Sequence, residues 1–326
     1  MGISTFMVAL LPTYNQIGIL APIILVVLRV LQGISAGGQF PSLITVGVND
    51  HENKQGMAVG FIFSISSLGF LLATIVGSVS EYFFHNNVDL VWRFPFVLSA
   101  VLFVIYIWIN RNEDYSKADS PKPKRNNVVK SLVGQWHGIL TVVLLTTMCA
   151  SLYFLVFTYL VNYQIDHLNM DADSAFFLNS IILFLACVLY PVFGYMSDRI
   201  GHIKVFVTCL VLLIFAIYPL LYLFDTKEFI FMLIGLSIFT ALMATIQGAI
   251  SPYFSSVFKA EWQATACAVS YSIGNGISGS APLVASIFVH YLGHYGLTLY
   301  VFVLVLIGSI GALSLFFIRP SHSFKA

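Results

Sequence analysis

Charge is what this sequence has least of. Lys, Arg, Asp and Glu together supply 9% of its 326 residues, while apolar residues supply 59%. Soluble domains run at about 25% charged and about 45–50% apolar. So few charges cannot solvate that much apolar surface in water, which excludes a soluble fold and makes lipid the solvent for most of the chain. The 15 basic and 14 acidic residues balance to a net charge of +1, which leaves no electrostatic footprint for nucleic acid. Cysteine is scarce too. Cys149, Cys187, Cys209 and Cys267 stand singly in apolar runs, without disulfide or zinc spacing, and read as small buried hydrophobes. The first residues lack a basic segment and a small-residue cleavage site, so no secretory signal peptide is expected there. No phosphate-binding loop, zinc motif or catalytic triad is found, so neither an enzyme nor an ATP-driven pump is expected, and no cofactor or metal.

What the chain does have is long apolar runs. Runs of about 18–25 residues span a bilayer as helices. They fall near 21–46, 57–80, 92–110, 137–161, 175–196, 203–224, 229–251, 264–289 and 297–318. Gly2–Leu11 adds a half-length stub before the turn-like "PTYNQ". The 29 phenylalanines are not set in polar–apolar alternation, which points away from a β-barrel. The expected fold is an all-α polytopic membrane bundle of about nine full spans and one partial.

The loops support this count. Lys and Arg favour the cytoplasmic side of short loops. Lys54, the stretch 111–136, Arg199 with Lys204, Lys259 and the tail residues Arg319 and Lys325 fall in alternate loops, and twelve of the 15 basic residues share one side. That side is expected to be cytoplasmic, with the C-terminus on it. Residues 111–136, rich in Pro, Lys and Asn, read as a linker between an N-terminal part at 1–110 and a six-helix part at 137–319; residues 320–326 form the tail.

Polar residues inside the spans are few. Arg29 is the only charge well inside one, and a bare cation there costs about 2.5–3.5 kcal/mol or more. Gln32, Ala36 and Gln39 follow it on one helix face, and that stripe is expected to face the protein interior. Gly274, Gly276 and Gly279 spell G-x-G-x-x-G, but without the strand, helix and acidic residue of a dinucleotide site they read as sites of close helix approach. Tyr271, Asn275, Ser278 and Pro282 share one face there. Tyr159 and Tyr163 suit either a cavity or an interfacial aromatic belt. His85, His137, His167, His202, His290 and His294 read as interface residues; the four-residue spacing of the last pair has no third ligand near it.

Three stretches carry a family resemblance. "LLPTYNQIGILAPIILVVLRVLQGISAGGQF" and "ATACAVSYSIGNGISGSAPLVASIF" are similar to the third-to-fourth and eleventh spans of the metabolite:proton symporter family within the major facilitator superfamily. "GYMSDRIGHIKV" resembles the superfamily's G-x-x-x-D-R-x-G loop in its second-half copy. The resemblance implies a twelve-span fold whose first two spans are absent, with 1–110 holding spans three to six. It implies a monomeric, multi-pass protein of the bacterial inner membrane that moves a small carboxylate or zwitterion, of proline/betaine or dicarboxylate type, together with protons by alternating access. The other reading is a truncated, non-transporting remnant or a misassigned start site.

Around the central cavity that the resemblance implies, Arg29, Gln32, Tyr159, Gln247 and Asn275 are the candidate substrate-binding residues, and Gly194, Asp198, Arg199 and Gly201 the candidate gating motif. The sequence departs from the family at Gln39, an amide where a glutamate is usual, and at Ser256, Lys259 and Gln263, where a cytoplasmic charge network is weakened.

Overall fold

A computed structural model describes residues 2–51, 53–85, 87–111, 128–293 and 295–315. Every regular element among them is helical: α1 (Gly2–Ala9), α2 (Tyr14–Ile17), α3 (Leu20–Gly37), α4 (Gln39–Asp50), α5 (Gln55–Phe84), α6 (Val88–Asn110), α7 (Val128–Val133), α8 (Trp136–Phe154), α9 (Leu160–Asp166), α10 (Ala172–Ile200), α11 (His202–Asp225), α12 (Phe229–Ile250), α13 (Tyr253–Ser256), α14 (Gln263–Ser278), α15 (Ala281–Leu292) and α16 (Tyr295–Leu315). Together they make nine membrane-length apolar spans among the described residues. Several spans are composite. The first breaks at Gly38 between α3 and α4, the fourth carries a π-turn at Leu155–Tyr159, and the eighth breaks at Gly279 and Ser280. Residues 112–127, His294 and 316–326, including most of the expected linker and the whole tail, lie outside the described residues. Within the expected linker, Val128–Val133 is helical, and Leu132 packs on the apolar core.

The chain divides into two compact units. One comprises Met1–Gln39 and Leu72–Pro123, the other Phe40–Leu71 and Lys124–Ala326. In the first, α1 packs on α6 and α3. Gly2 lies against the Phe103 ring, where a side chain would overlap it. The Arg93 guanidinium donates to the Leu11 carbonyl at 2.9 Å, which holds the end of α1 to α6. In the second unit α8 is a hub for α14 and α16, while α12 packs on α10 and α11. Gly274 sits so close to α8 that an added Cβ would lie 2.8 Å from the Thr146 Cβ. Gly276 faces open space, and Gly279 meets only its own helix, so one of the three expected close approaches is made. Gly276 is two residues further on, about 200° round the helix and away from α8.

Two prolines inside spans reveal how the backbone is kept satisfied. Proline has no N–H, so the carbonyl four residues earlier loses its helical donor. For Pro95 that carbonyl belongs to Val91, and the Ser80 hydroxyl donates to it at 2.6 Å. For Pro191 it belongs to Cys187, and the Ser64 hydroxyl donates to it at 2.6 Å. Both serines lie on α5. A buried carbonyl left bare costs about 1–3 kcal/mol. Ser64→Ala should therefore destabilise the detergent-solubilised protein by that order. The same change on a Pro191→Ala background, where the N–H returns, should cost under about 0.5 kcal/mol. Thermal unfolding of the four proteins in the double-mutant cycle checks this, and additive costs would contradict it.

Candidate functional site

The two groups of expected binding residues lie in different units and are described within each. In the first unit, Arg29 Nη1 donates to Gln32 Oε1 at 3.2 Å, and Gln32 Nε2 donates to Thr5 Oγ1 at 2.9 Å. The guanidinium carbon stands 5.8 Å above the Phe96 ring, a cation–π distance. Among the described residues no carboxylate pairs with Arg29. Gln32 is buried and Ala36 half-buried, but Arg29 and Gln39 are exposed. The expected inward-facing stripe is therefore only partly inward. The Gln32 side of α3 meets α1 through Thr5, and Gln39 belongs to α4, beyond the break at Gly38.

In the second unit the π-turn and α9 bury Tyr159 and Tyr163, whose rings are 6.1 Å apart, with His167 a further 4.9 Å along. Burial places both tyrosines in the core rather than in a lipid-facing belt. A π-turn adds one residue to the helical repeat and is a recurrent feature of functional sites; nothing in the sequence announces it. Gln247 is buried on α12, and its Nε2 donates to the Cys149 carbonyl at 2.8 Å. Its Oε1 is a buried acceptor with no partner among the described residues. Asn275 is half-buried on α14. One turn away, Ser278 donates to the carbonyls of Thr147 and Gly274, which ties α14 to α8.

The G-x-x-x-D-R-x-G stretch builds a compact corner. Gly194 on α10 meets Gly56 on α5 backbone to backbone, and a Cβ added to Gly248 on α12 would lie 3.1 Å from the Gly194 Cα. Three helices thus touch through glycines. The approach brings Asp198 to the start of α5, where its Oδ1 accepts from the Gly56 N–H at 2.7 Å and its Oδ2 from the Met57 N–H at 2.9 Å. Helix N-termini carry unpaired N–H groups and partial positive charge, and a carboxylate satisfies both. Gly201 turns the chain at φ +110°, a left-handed conformation open to glycine. Arg199 is exposed, with its guanidinium carbon 4.9 Å above the Tyr195 ring.

His202, read from the sequence as an ordinary interface residue, lies beside Asp198 with Nε2 3.4 Å from Oδ1. It is four residues after Asp198 in sequence but on the next helix, brought back beside the carboxylate by the turn at Gly201. Nearby in sequence to Lys259, Gln263 exchanges two amide hydrogen bonds with Asn49, at 3.3 and 3.4 Å.

Comparison with known proteins agrees with this architecture. A sequence model of the Major Facilitator Superfamily matches residues 1–280 and 167–325, and the chain belongs to that superfamily. The α-ketoglutarate permease of Escherichia coli K12 is 30% identical over 298 residues, 87% of this chain and 67% of its own. The proline/betaine transporter of the same strain is 24% identical over 312 residues, 88% and 61% of the two chains. A Staphylococcus aureus protein whose name places it with proline/betaine transporters is 26% identical over 297 residues, 88% of this chain. This chain spans 64% of that relative's length. Membership makes the chain a multi-pass membrane protein and sets it apart from enzymes.

Replacing Asp198 with Asn removes the charge but keeps one acceptor. Asp198→Asn should lower stability by about 1–2 kcal/mol, and Arg199→Gln, on an exposed side chain, by under about 0.5 kcal/mol. Thermal melts in detergent compare the two, and equal effects would contradict the assignment of Asp198 as the cap.

Proposed function

We propose that this chain is a secondary carrier of the inner membrane that moves a small carboxylate or zwitterionic metabolite by alternating access of two halves, 1–110 and 137–319. A proton is the coupling ion, a finer reading that rests on the resemblance to metabolite:proton symporters. Superfamily membership and the transport functions named for its relatives support a carrier. Arg29 carries the choice of substrate class. It is a cation in the middle of an apolar span, held by an amide and an aromatic face rather than by a carboxylate among the described residues. Such a guanidinium keeps donors for an incoming carboxylate, whose charge would relieve the cost of placing a cation in lipid.

Gln32 in the first unit, and Tyr159, Gln247 and Asn275 within the second, are proposed as further substrate-binding residues that supply neutral hydrogen bonds. The gating motif is proposed to act on the inner side, where Asp198 holds α5 until the halves rock. The orientation rests on the alternation of basic loops: Lys54, Arg199, Lys204 and Lys259 lie on the side proposed to be cytoplasmic, with the C-terminus. The carrier acts as a monomer.

Uptake of labelled α-ketoglutarate, proline and glycine betaine into proteoliposomes under an inward proton gradient tests the reading. One of them should accumulate, and a protonophore should abolish the accumulation. Arg29→Ala should weaken its apparent affinity by about tenfold to a hundredfold, the worth of a charge-assisted hydrogen bond. No accumulation of any of the three, or an unchanged affinity in Arg29→Ala, would contradict it.

A further inference from the structure

Within the second unit, several polar side chains of the spans are used by the fold itself. Ser270 donates to the Ala266 carbonyl and Thr245 to the Ala241 carbonyl, each on its own helix. Ser278 ties α14 to α8 by donating to the Thr147 carbonyl at 3.0 Å. Ser64 ties α5 to α10 by donating to the Cys187 carbonyl at 2.6 Å. A tie of this kind needs only a donor, and a hydroxyl supplies it.

Gln247 makes a tie of the same kind, its Nε2 donating to the Cys149 carbonyl on α8 at 2.8 Å. That bond fixes the orientation of the amide, because turning it over would set two oxygens against each other at that distance. Gln247 therefore brings a second group that the tie does not use. Its Oε1 accepts from nothing among the described residues, although the side chain is only 2% exposed. A bare acceptor at that depth is costly, and the fold has no need of it. Tyr190 on α10 repeats the pattern. Its hydroxyl is fully buried without a partner among the described residues, and it lies near the Cys149 side chain. Its ring stacks on Phe63 at 5.4 Å, and a side chain on Gly60 would overlap its carbonyl, so it is held from both ends. Gln247 and Tyr190 are thus both neighbours of Cys149. The hydroxyl can donate or accept, but Oε1 can only accept.

We propose that Gln247 Oε1 reads an N–H or O–H on the transported molecule, so that the substrate is a carboxylate that also carries such a donor: an amino or hydroxy acid, rather than a fully N-methylated betaine or a simple oxo acid. This rests on the carrier reading above, which takes Gln247 as a substrate-binding residue. Tyr190 supplies a hydroxyl to the same site. A methylated ammonium offers Oε1 only C–H groups, and an oxo group offers it only lone pairs. Either leaves the buried acceptor unmet, and a site built to bond an N–H or O–H rejects the analogue that lacks it.

Melting the full chain in nanodiscs with two matched pairs of probes tests this: proline against N,N-dimethylproline, and 2-hydroxyglutarate against α-ketoglutarate. A ligand that binds the folded form raises the melting temperature, so affinity is read without transport. In at least one pair the member with the N–H or O–H should bind, about tenfold to a hundredfold more tightly than its partner. Gln247→Met keeps the side-chain length and removes the acceptor. It should close the gap by weakening the donor-bearing probe while leaving its partner's affinity unchanged; a gap caused by crowding of the methyl groups would persist. Equal affinities within both pairs, a tighter donor-free member, a gap that survives Gln247→Met, or no shift with any probe would overturn the proposal. If Gln247→Met does not fold, the wild-type pairs decide alone. Binding with the expected gap but no uptake would sink the carrier reading and leave the assignment of Oε1 standing. Uptake of glycine betaine or α-ketoglutarate in preference to the donor-bearing probes would do the reverse.

Discussion

A lipid interior offers no hydrogen bond to a bare peptide group, and this constraint shapes the rest of the structure. It makes every described regular element a helix. It also governs the hydroxyls. Thr45, Thr141, Ser180, Ser237, Thr245, Ser270 and Ser309 each donate to the carbonyl four residues back on their own helix. At Pro95 and Pro191, where a proline breaks the ladder, a serine of α5 completes it by donating to the Val91 and Cys187 carbonyls.

The same constraint governs the ends of helices. A helix start buried against protein has N–H groups that must be met. At α5 they are met by Asp198, and the carboxylate reaches them because Gly56, Gly194 and Gly248 let three backbones converge. The contact is strong, because a charge accepts from two amides, yet it is lost at once if the helices part. That combination suits a latch.

Much of this was legible in the sequence. The nine long spans follow from apolar run length, because hydrocarbon thickness sets a minimum that few other structures mimic. The glycines and charges of "GYMSDRIGHIKV" marked the corner. The breaks within spans were only partly legible. The π-turn at Leu155–Tyr159 leaves hydropathy unchanged and has no residue that marks it, whereas the break after Gly279 stands just ahead of Pro282, which cannot donate to the Ser278 carbonyl. The stripe from Arg29 to Gln39 was only half read, since a helical face was extrapolated through the break at Gly38. The amides of Gly56 and Met57 have no side-chain signature at all, and so the partner of Asp198 had to come from the structure.

If helices alternate across the bilayer as the basic loops require, membrane-impermeant thiol reagents will read it directly. The protein would carry single cysteines at Lys54, Lys204 or Lys259, or else at Asp171 or Lys227, with its four native cysteines replaced by alanine. In intact cells the reagent should label the second set and reach the first only after lysis. Labelling of both sets in intact cells, or of the first set alone, would contradict the topology on which the latch and the carrier both rest.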